Sequence, residues 1–272
     1  MAAANKSTSI FANDRPRRPE GAAPSTSELL HIRPTEDAWN DLRRVVPSAN
    51  DLERNKMIAA TRKDPAHVAF DVLRSRMTVA MRDRGWHRVG ITSPTEGCGK
   101  SFVTGNLALS FSRQEDLRTV VMDLDLNSSK LAGYLGASGS GSMSDFLAGH
   151  RSVETHFARP AQNLGHMGTH IAMGLNDKPE MFGAEILQYP STEIAINEVQ
   201  EMLDPDIMIF DLPPVLSSEA VTALGSQLDC ILLVVAGDRS KAPEISEAER
   251  LVAETNPLLG VVMNKSRGTF IG

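Results

Sequence analysis

The stretch that most constrains this chain is Arg88 to Ser101, RVGITSPTEGCGKS. A β-rich run, Val89, Gly90, Ile91 and Thr92, leads into a turn carrying Gly97 and Gly99. Lys100 and Ser101 then open an apolar helical pattern. In the order strand, glycine-bearing loop, helix, the loop's backbone N–H groups and the positive end of the helix cradle phosphate oxygens. Lys100 is placed to reach the β- and γ-phosphates of a nucleotide, and the Ser101 hydroxyl to ligate Mg²⁺. Pro94 stands where the usual pattern has its first glycine. The weight of the motif therefore depends on what the rest of the chain supplies.

From Trp86 onward, strands alternate with helices, the pattern of an α/β doubly wound, mostly parallel sheet with helices on both faces. The strand candidates are His87–Thr92, Thr119–Asp123, Ile207–Asp211, Cys230–Val235 and Leu259–Met263, with a weaker one at His170–Met173. Helices are expected at Lys100–Gln114, Ser142–Ala148, Thr192–Leu203, Ser217–Leu224 and Pro243–Thr255. The Gly/Ser run Gly136–Ser142 reads as a turn.

Upstream, residues 1–28 are rich in Ala, Ser, Pro and Arg without periodicity and read as disordered. Residues 36–46 space Trp39, Leu42, Val45 and Val46 on one helical face that Pro47 ends. That helix either packs on its own domain or docks a partner. Asp64 is expected to cap, and Pro65 to begin, a longer helix to about Arg82 with Phe70, Leu73 and Met77 on one side. The division is thus a flexible extension, 1–63, and a nucleotide-binding domain, 64–272.

Charge agrees with two parts of different character. Residues 1–63 hold 11 Lys+Arg against 8 Asp+Glu, leaving 17 against 26 in the remainder, within a chain of formal net charge −6. An acidic body argues against bulk nucleic-acid binding. Two distant cysteines, Cys98 and Cys230, suit a reducing compartment. The apolar run Cys230–Ala236 is far short of the roughly 20 residues that span a bilayer. A cytoplasmic location is expected, with any membrane role coming through a partner.

Three acidic positions stand at predicted strand ends. In VVMDLD, Asp123 and Asp125 are spaced i, i+2 and point to one side of the chain. In an open α/β sheet this is the end where ligands bind. Asp211 ends the apolar run Ile207–Phe210 and suits a carboxylate acting on Mg²⁺, often through water. Pro213 and Pro214 stiffen the loop behind it. Together with the loop Thr95, Glu96, Gly97, Cys98, Gly99, Lys100, Ser101 and Phe102, these residues make an ATP and Mg²⁺ site. Its metal would lie between Ser101 and Asp211.

SPTEGCGKS, VVMDLDL, IFDLPPVL and the closing LLVVAGDRSKAPEISEAERLV…LLGVVMNK resemble the bacterial tyrosine kinases of capsule and exopolysaccharide synthesis over residues 64–267. The wider class of P-loop proteins includes cell-division and partition ATPases with a signature lysine early in the loop; here that position is Thr95, which favours the kinase branch. The resemblance implies transfer of the ATP γ-phosphate to protein tyrosine. Lys100 would neutralise the transferring phosphate. Asp123 and Asp125 would serve the metal and the attacking hydroxyl, Asp123 taking its proton. Asn264 would read the adenine edge or, on the residues alone, be an ordinary turn asparagine. Cys98 is either a redox-sensitive thiol or a filler of a small-residue slot.

Departures from the family are as informative. The chain closes NKSRGTFIG without a tyrosine cluster, so self-phosphorylation of such a tail is not expected; its tyrosines are Tyr134 and Tyr189. The family's assembly helix reads E-x-x-R-x-x-R, and here those positions are Val68, Asp71 and Arg74. Asn127 follows DLDL where arginine is usual. Members of this type work with a membrane protein that sets polymer length and activates the kinase through its cytoplasmic tail. The alternatives are a non-catalytic ATP-dependent regulatory subunit of such a complex and, less favoured by Thr95 and Pro213-Pro214, a partition or positioning ATPase. Homo-oligomers are compatible with each.

Overall fold

The structure, a computed structural model, describes residues 35–137, 141–161 and 167–266. The expectations for residues 1–28, for positions 138–140 of the Gly/Ser run and for the tail past Ser266 lie outside these. The strands are β1 (Arg43–Val45), β2 (Arg88–Thr92), β3 (Thr119–Asp123), β4 (Phe157–Pro160), β5 (Ile171–Gly174), β6 (Ile207–Asp211), β7 (Cys230–Ala236) and β8 (Leu258–Asn264). They form one sheet in the order β1-β4-β5-β3-β6-β2-β7-β8. All neighbours are parallel except β4 and β5.

Helices cover both faces, which is why the inner strands read as unbroken apolar runs. Alternate residues of each strand feed two separate cores. Met208, Phe210, Ile231 and Leu233 pack with Trp39, Ile196, Val199 and Val252 on one side. Ile207, Ile209, Leu232 and Val234 pack with Leu107, Phe111, Met77 and Met57 on the other. Asp123 and Asp211 fall on the second side by the same alternation. That side carries the helix Lys100–Phe111, so strand parity aims both carboxylates at the helix of the phosphate loop.

The sheet matches the sequence reading in the six mutually parallel strands from β5 to β8 in sheet order and departs from it at the opposite edge. Residues 36–46 are not one helix. A helix spans Thr35–Asp41, and Arg43–Val45 then becomes β1, paired to Ala158, Arg159 and Pro160 of β4. Trp39 is buried, and its indole Nε1 donates to the Leu203 carbonyl at 2.6 Å. Here the extended pairing with β4 outweighs a helical spacing that is real but only eleven residues long. β4 has no counterpart among the expected strands, since FARP carries a charge and a proline and alternation has no room to show in four residues.

Residues 35–63 therefore belong to the same compact unit as the rest of the described chain, not to an extension. The turn of helix Ile58–Thr61 lies against the helix Lys100–Phe111, and the helix Ala49–Arg54 lies against that turn and against Leu131–Tyr134. Met57 is fully buried, with its Cε where a side chain on Gly105 would stand. The Ala59 N–H donates to Asn106 Oδ1 at 2.9 Å. The next helix begins at His67 rather than Pro65 and runs to Arg82. Asp64 does accept from the Ala66 N–H at 2.8 Å, as a capping carboxylate would, and a tight turn from Asp64, with the His67 N–H on its carbonyl at 3.1 Å, precedes the helix proper. The expected helix Ser217–Leu224 is likewise shorter, Ala220–Ala223, continuing as a 3₁₀ turn through Gln227.

Candidate functional site

β2 is a central strand, flanked by β6 and β7. The chain leaves β2 toward β3 on one side and reaches β7 on the other, so the strand order reverses at its carboxyl end. That reversal opens the crevice where open α/β sheets hold ligands. The phosphate loop leaves β2 there. Gly97 and Gly99 both have left-handed backbone, φ +78° and +92°. A side chain on either would collide, with the Arg239 guanidinium at Gly97 and with the Asn264 amide at Gly99. Both glycines are thus required by conformation, and Gly99 also by the short Asn264 side chain against it.

The loop is held from several directions. Asn264 Nδ2 donates to the Cys98 carbonyl at 2.9 Å, Lys265 Nζ to the Gly97 carbonyl at 2.8 Å and Arg239 Nη1 to the Glu96 carbonyl at 3.2 Å. Behind Asp211, the Val215 N–H donates to the Ser93 carbonyl at 2.9 Å and the Leu216 N–H to the Pro94 carbonyl at 3.2 Å. Pro94 therefore sits where the loop is stitched to the segment after Pro213-Pro214. Cys98 is fully buried, with its sulfur 3.4 Å from Ser240 Oγ. That is a filler's place in the loop.

Lys100 is buried among carboxylates. Its Nζ bonds Asp125 Oδ2, lies 3.8 Å from Asp211 Oδ1 and 3.3 Å from Ser101 Oγ. Burial pulls its ammonium down, but Asp211 and Asp125 outweigh this and hold it above the ordinary lysine range. Asp123 and Asp211 are register partners on β3 and β6, and neither side chain reaches solvent. Burial, then Asp211 and Asp125, push the Asp123 carboxyl well above the usual carboxylate range. Burial also raises Asp211, with Lys100 pulling the other way. Thr104, one turn past Lys100, donates to Asp211 Oδ1 at 3.1 Å.

Two carboxylate oxygens in this cluster, Asp123 Oδ1 and Asp211 Oδ2, are buried with no hydrogen-bond partner. Orphaned acceptors of this kind are costly to hold unless something else satisfies them. Hard oxygen donors from Ser101, Asp123 and Asp211 match the chemistry of Mg²⁺. Among the described residues no group of three or more His, Cys, Asp or Glu is arranged to hold a metal unaided. Mg²⁺ beside a nucleotide takes one or two protein carboxylates and completes its shell with phosphate oxygens and water.

Lys100, Ser101 and Asp125 open on a cavity of about 540 Å³ lined also by Gly97, Gly99 and Phe102, with Glu96 and Asn264 at its wall; Asp123 and Asp211 stand outside this lining, fully buried. Of the residues expected from sequence, the structure places Glu96, Gly97, Gly99, Lys100, Ser101, Phe102, Asp125 and Asn264 on this cavity, and Thr95, Cys98, Asp123 and Asp211 off its lining. Asn264 occupies that wall with its amide committed to the loop carbonyl, and Thr95 supports the loop from outside the cavity, its hydroxyl 3.8 Å from Cys98 sulfur. Sequence reasoning missed others. Thr104 had a signal, since it stands i+4 from Lys100 on one helix face. Arg54, Asn55, Lys56, Lys130, Tyr134 and Lys265 also line the cavity. The first three come from a stretch whose polar, aperiodic sequence gave no hint of a site.

A family model described as ParA, the NUBPL iron-transfer P-loop NTPase, matches residues 86–270. A putative tyrosine-protein kinase EpsB of Ralstonia solanacearum is 30% identical over 208 residues, 74% of this chain and 26% of its own length. The chain thus spans about a quarter of that relative. The tyrosine-protein kinase YwqD of Bacillus subtilis is 26% identical over 215 residues, 78% of this chain and 86% of its own. Among solved structures, the kinase domain of Escherichia coli tyrosine kinase ETK superposes with a TM-score of 0.67 and 20% identity, over 84% of this chain and 92% of that one. At that identity the structural likeness carries the fold.

Proposed function

The chain belongs to the ParA-type P-loop NTPases, in the group of the bacterial tyrosine kinases, and we propose that it binds ATP with Mg²⁺ and passes the γ-phosphate to protein tyrosine in exopolysaccharide or capsule synthesis. The observation that carries the reading is the buried set Lys100, Asp123, Asp125 and Asp211 at the mouth of the phosphate loop, two of whose carboxylate oxygens await a partner.

The loop N–H groups and Lys100 would hold the phosphates, and Ser101 and Asp211, with Asp123 beside them, would hold the metal. When bound, the metal neutralises charge on the transferring phosphoryl group. In the transfer, the bond from the γ-phosphorus to the β-bridging oxygen breaks and one to the tyrosine oxygen forms, leaving ADP. Asp123 receives the phenolic proton. A carboxyl raised by burial and by its neighbours is a better proton acceptor than an exposed one. No described helix is long and apolar enough to cross a membrane. Recruitment to the inner membrane face by a chain-length partner is part of the proposal.

One feature favours a second reading, a regulatory subunit that cycles ATP without a tyrosine acceptor. Asp71, at a position where the family's assembly helix carries arginine, is turned inward onto Arg62 and Arg113. The two readings part in one assay. The full chain is incubated with labelled ATP·Mg²⁺, a chain-length partner's cytoplasmic segment and candidate substrates, beside Lys100→Met. Phosphotyrosine that disappears in the variant supports the kinase. Hydrolysis or nucleotide-dependent association without any phosphotyrosine overturns it.

A further inference from the structure

The catalytic cluster has a charge problem. One cation, Lys100, faces three carboxylates, Asp123, Asp125 and Asp211, and Glu96 adds a fourth at the cavity wall. A nucleoside triphosphate adds several negative charges, of which a divalent metal offsets two. Further fixed cations beside the loop would lower the cost of resting the phosphate chain here. The same cavity is lined by Arg54, Lys56, Lys130 and Lys265.

These four are not equivalent. Lys265 is engaged with the Gly97 carbonyl, and Arg54 with Asp51 at 2.5 Å. Among the described residues no hydrogen bond or ion pair engages the ammonium groups of Lys56 and Lys130. Lys56 is also presented by a fixed backbone. It has left-handed φ, +53°, a conformation unfavourable for a residue with a side chain. On one side Asn55 Nδ2 bonds the Gly133 carbonyl at 2.6 Å; on the other Met57 is buried against the phosphate-loop helix at Gly105. Lys130 precedes the helix Leu131–Tyr134, whose first N–H donates to Asp123 Oδ2 at 3.3 Å. Both lysines are therefore tied by short paths to the reacting centre.

We propose that Lys56 and Lys130 form a clamp that binds the non-bridging phosphate oxygens of a nucleoside triphosphate lying on the loop. This rests on the nucleotide reading and assigns to residues 49–57 a part in the site. Charge at the open side of the phosphates comes from the chain's own upstream segment. The loop itself supplies no lysine early in its sequence, where Thr95 stands.

The test is the affinity of the full chain for ATP, ADP and AMP, measured by calorimetry for wild type, Lys56→Glu, Lys130→Glu and the control Lys63→Glu. Lys63 is an exposed lysine paired with Glu53 at 2.8 Å that does not line the cavity. Reversing either clamp charge is expected to weaken ATP about tenfold or more and AMP much less, while the control changes ATP by less than about twofold. Lys56→Gln, with an unchanged melting temperature, should weaken ATP in the same direction by a smaller factor. ATP affinity within about twofold of wild type in both reversals, or an equal loss in Lys63→Glu, overturns the clamp alone. A wild-type chain that binds no ATP overturns the nucleotide reading and the clamp with it.

Discussion

Asp71 offers the sharpest test of how this chain departs from its relatives. Its carboxylate accepts from Ser110 Oγ at 2.6 Å, from Arg62 Nη1 at 3.0 Å and from Arg113 Nη2. Arg113 also donates to the Ala59 carbonyl at 2.9 Å. One carboxylate thus joins the helix His67–Arg82, the end of the phosphate-loop helix and the upstream segment. Hydrogen bonds to charged groups contribute about 1.5–3 kcal/mol each when well shielded, but Asp71's side chain is 23% exposed and the three donors share one carboxylate, two of them on Oδ1. Asp71→Ala should therefore cost about 2 kcal/mol, a melting shift of about 4–8 °C for a domain of this size. Asp71→Arg, the residue of the family pattern, should cost more, because it sets a third guanidinium against Arg62 and Arg113.

The same contacts set the pH dependence. Partial burial raises the Asp71 carboxyl, but Ser110, Arg113 and Arg62 more than offset this and hold it below the usual range. A carboxyl depressed in the folded state stabilises above its unfolded value and loses that contribution as pH falls through the folded one. The difference between wild type and Asp71→Ala should be full at about pH 7 and shrink below about pH 4. Thermal melts across that range decide it. A shift under about 1 °C at neutral pH, or one that does not shrink in acid, refutes the bridging role.

Asp123→Asn should make the nucleotide-free protein more stable near pH 7, by about 1 kcal/mol, while abolishing transfer. The Asp123 carboxyl is raised in the fold, so the native state binds more protons than the unfolded one and stability falls as pH climbs from about 4. Asn should flatten that fall, and denaturant titrations of wild type and variant between about pH 4 and 8 check it. Gly99→Ala drives a methyl group into Asn264 Nδ2 at a positive φ. It should cost about 1–2 kcal/mol and remove ATP binding, read by thermal melts and calorimetry. Asn264→Gly in the same chain should restore stability in part by relieving the collision, leaving the backbone strain.

The inner sheet was legible because its strands are buried on both faces and read as apolar runs, two of which, β3 and β6, end in a carboxylate at the functional end. Asp123, Asp125 and Asp211 could be assigned for that reason. What could not be read was short or non-local. β1 and β4 are three and four residues long, and pairing defines them, β1 on β4 and β4 on both β1 and β5. Their sequences, RRV and FARP, carry no pattern of their own. Asp71 looks like a lost interface residue in the sequence because its partners Arg62, Ser110 and Arg113 lie up to 42 residues away. Lys56 is hidden for a related reason. Its place in the cavity depends on Met57 filling the space left by Gly105, a pairing between distant positions that no local period records.

The attachment of the phosphate loop to Asn264 and Lys265 has a consequence for how a nucleotide is met. A glycine-bearing loop alone would sample many shapes, and a ligand would have to select and freeze one, losing affinity to that ordering. Here the carbonyls of Gly97 and Cys98 are already bonded to the end of β8, the last strand of the sheet. The loop is preorganised, and its conformational entropy is surrendered on folding rather than on binding. Affinity at the site is thereby linked to the integrity of an edge strand: whatever loosens β8 at the border of the sheet is felt by the phosphates at its centre.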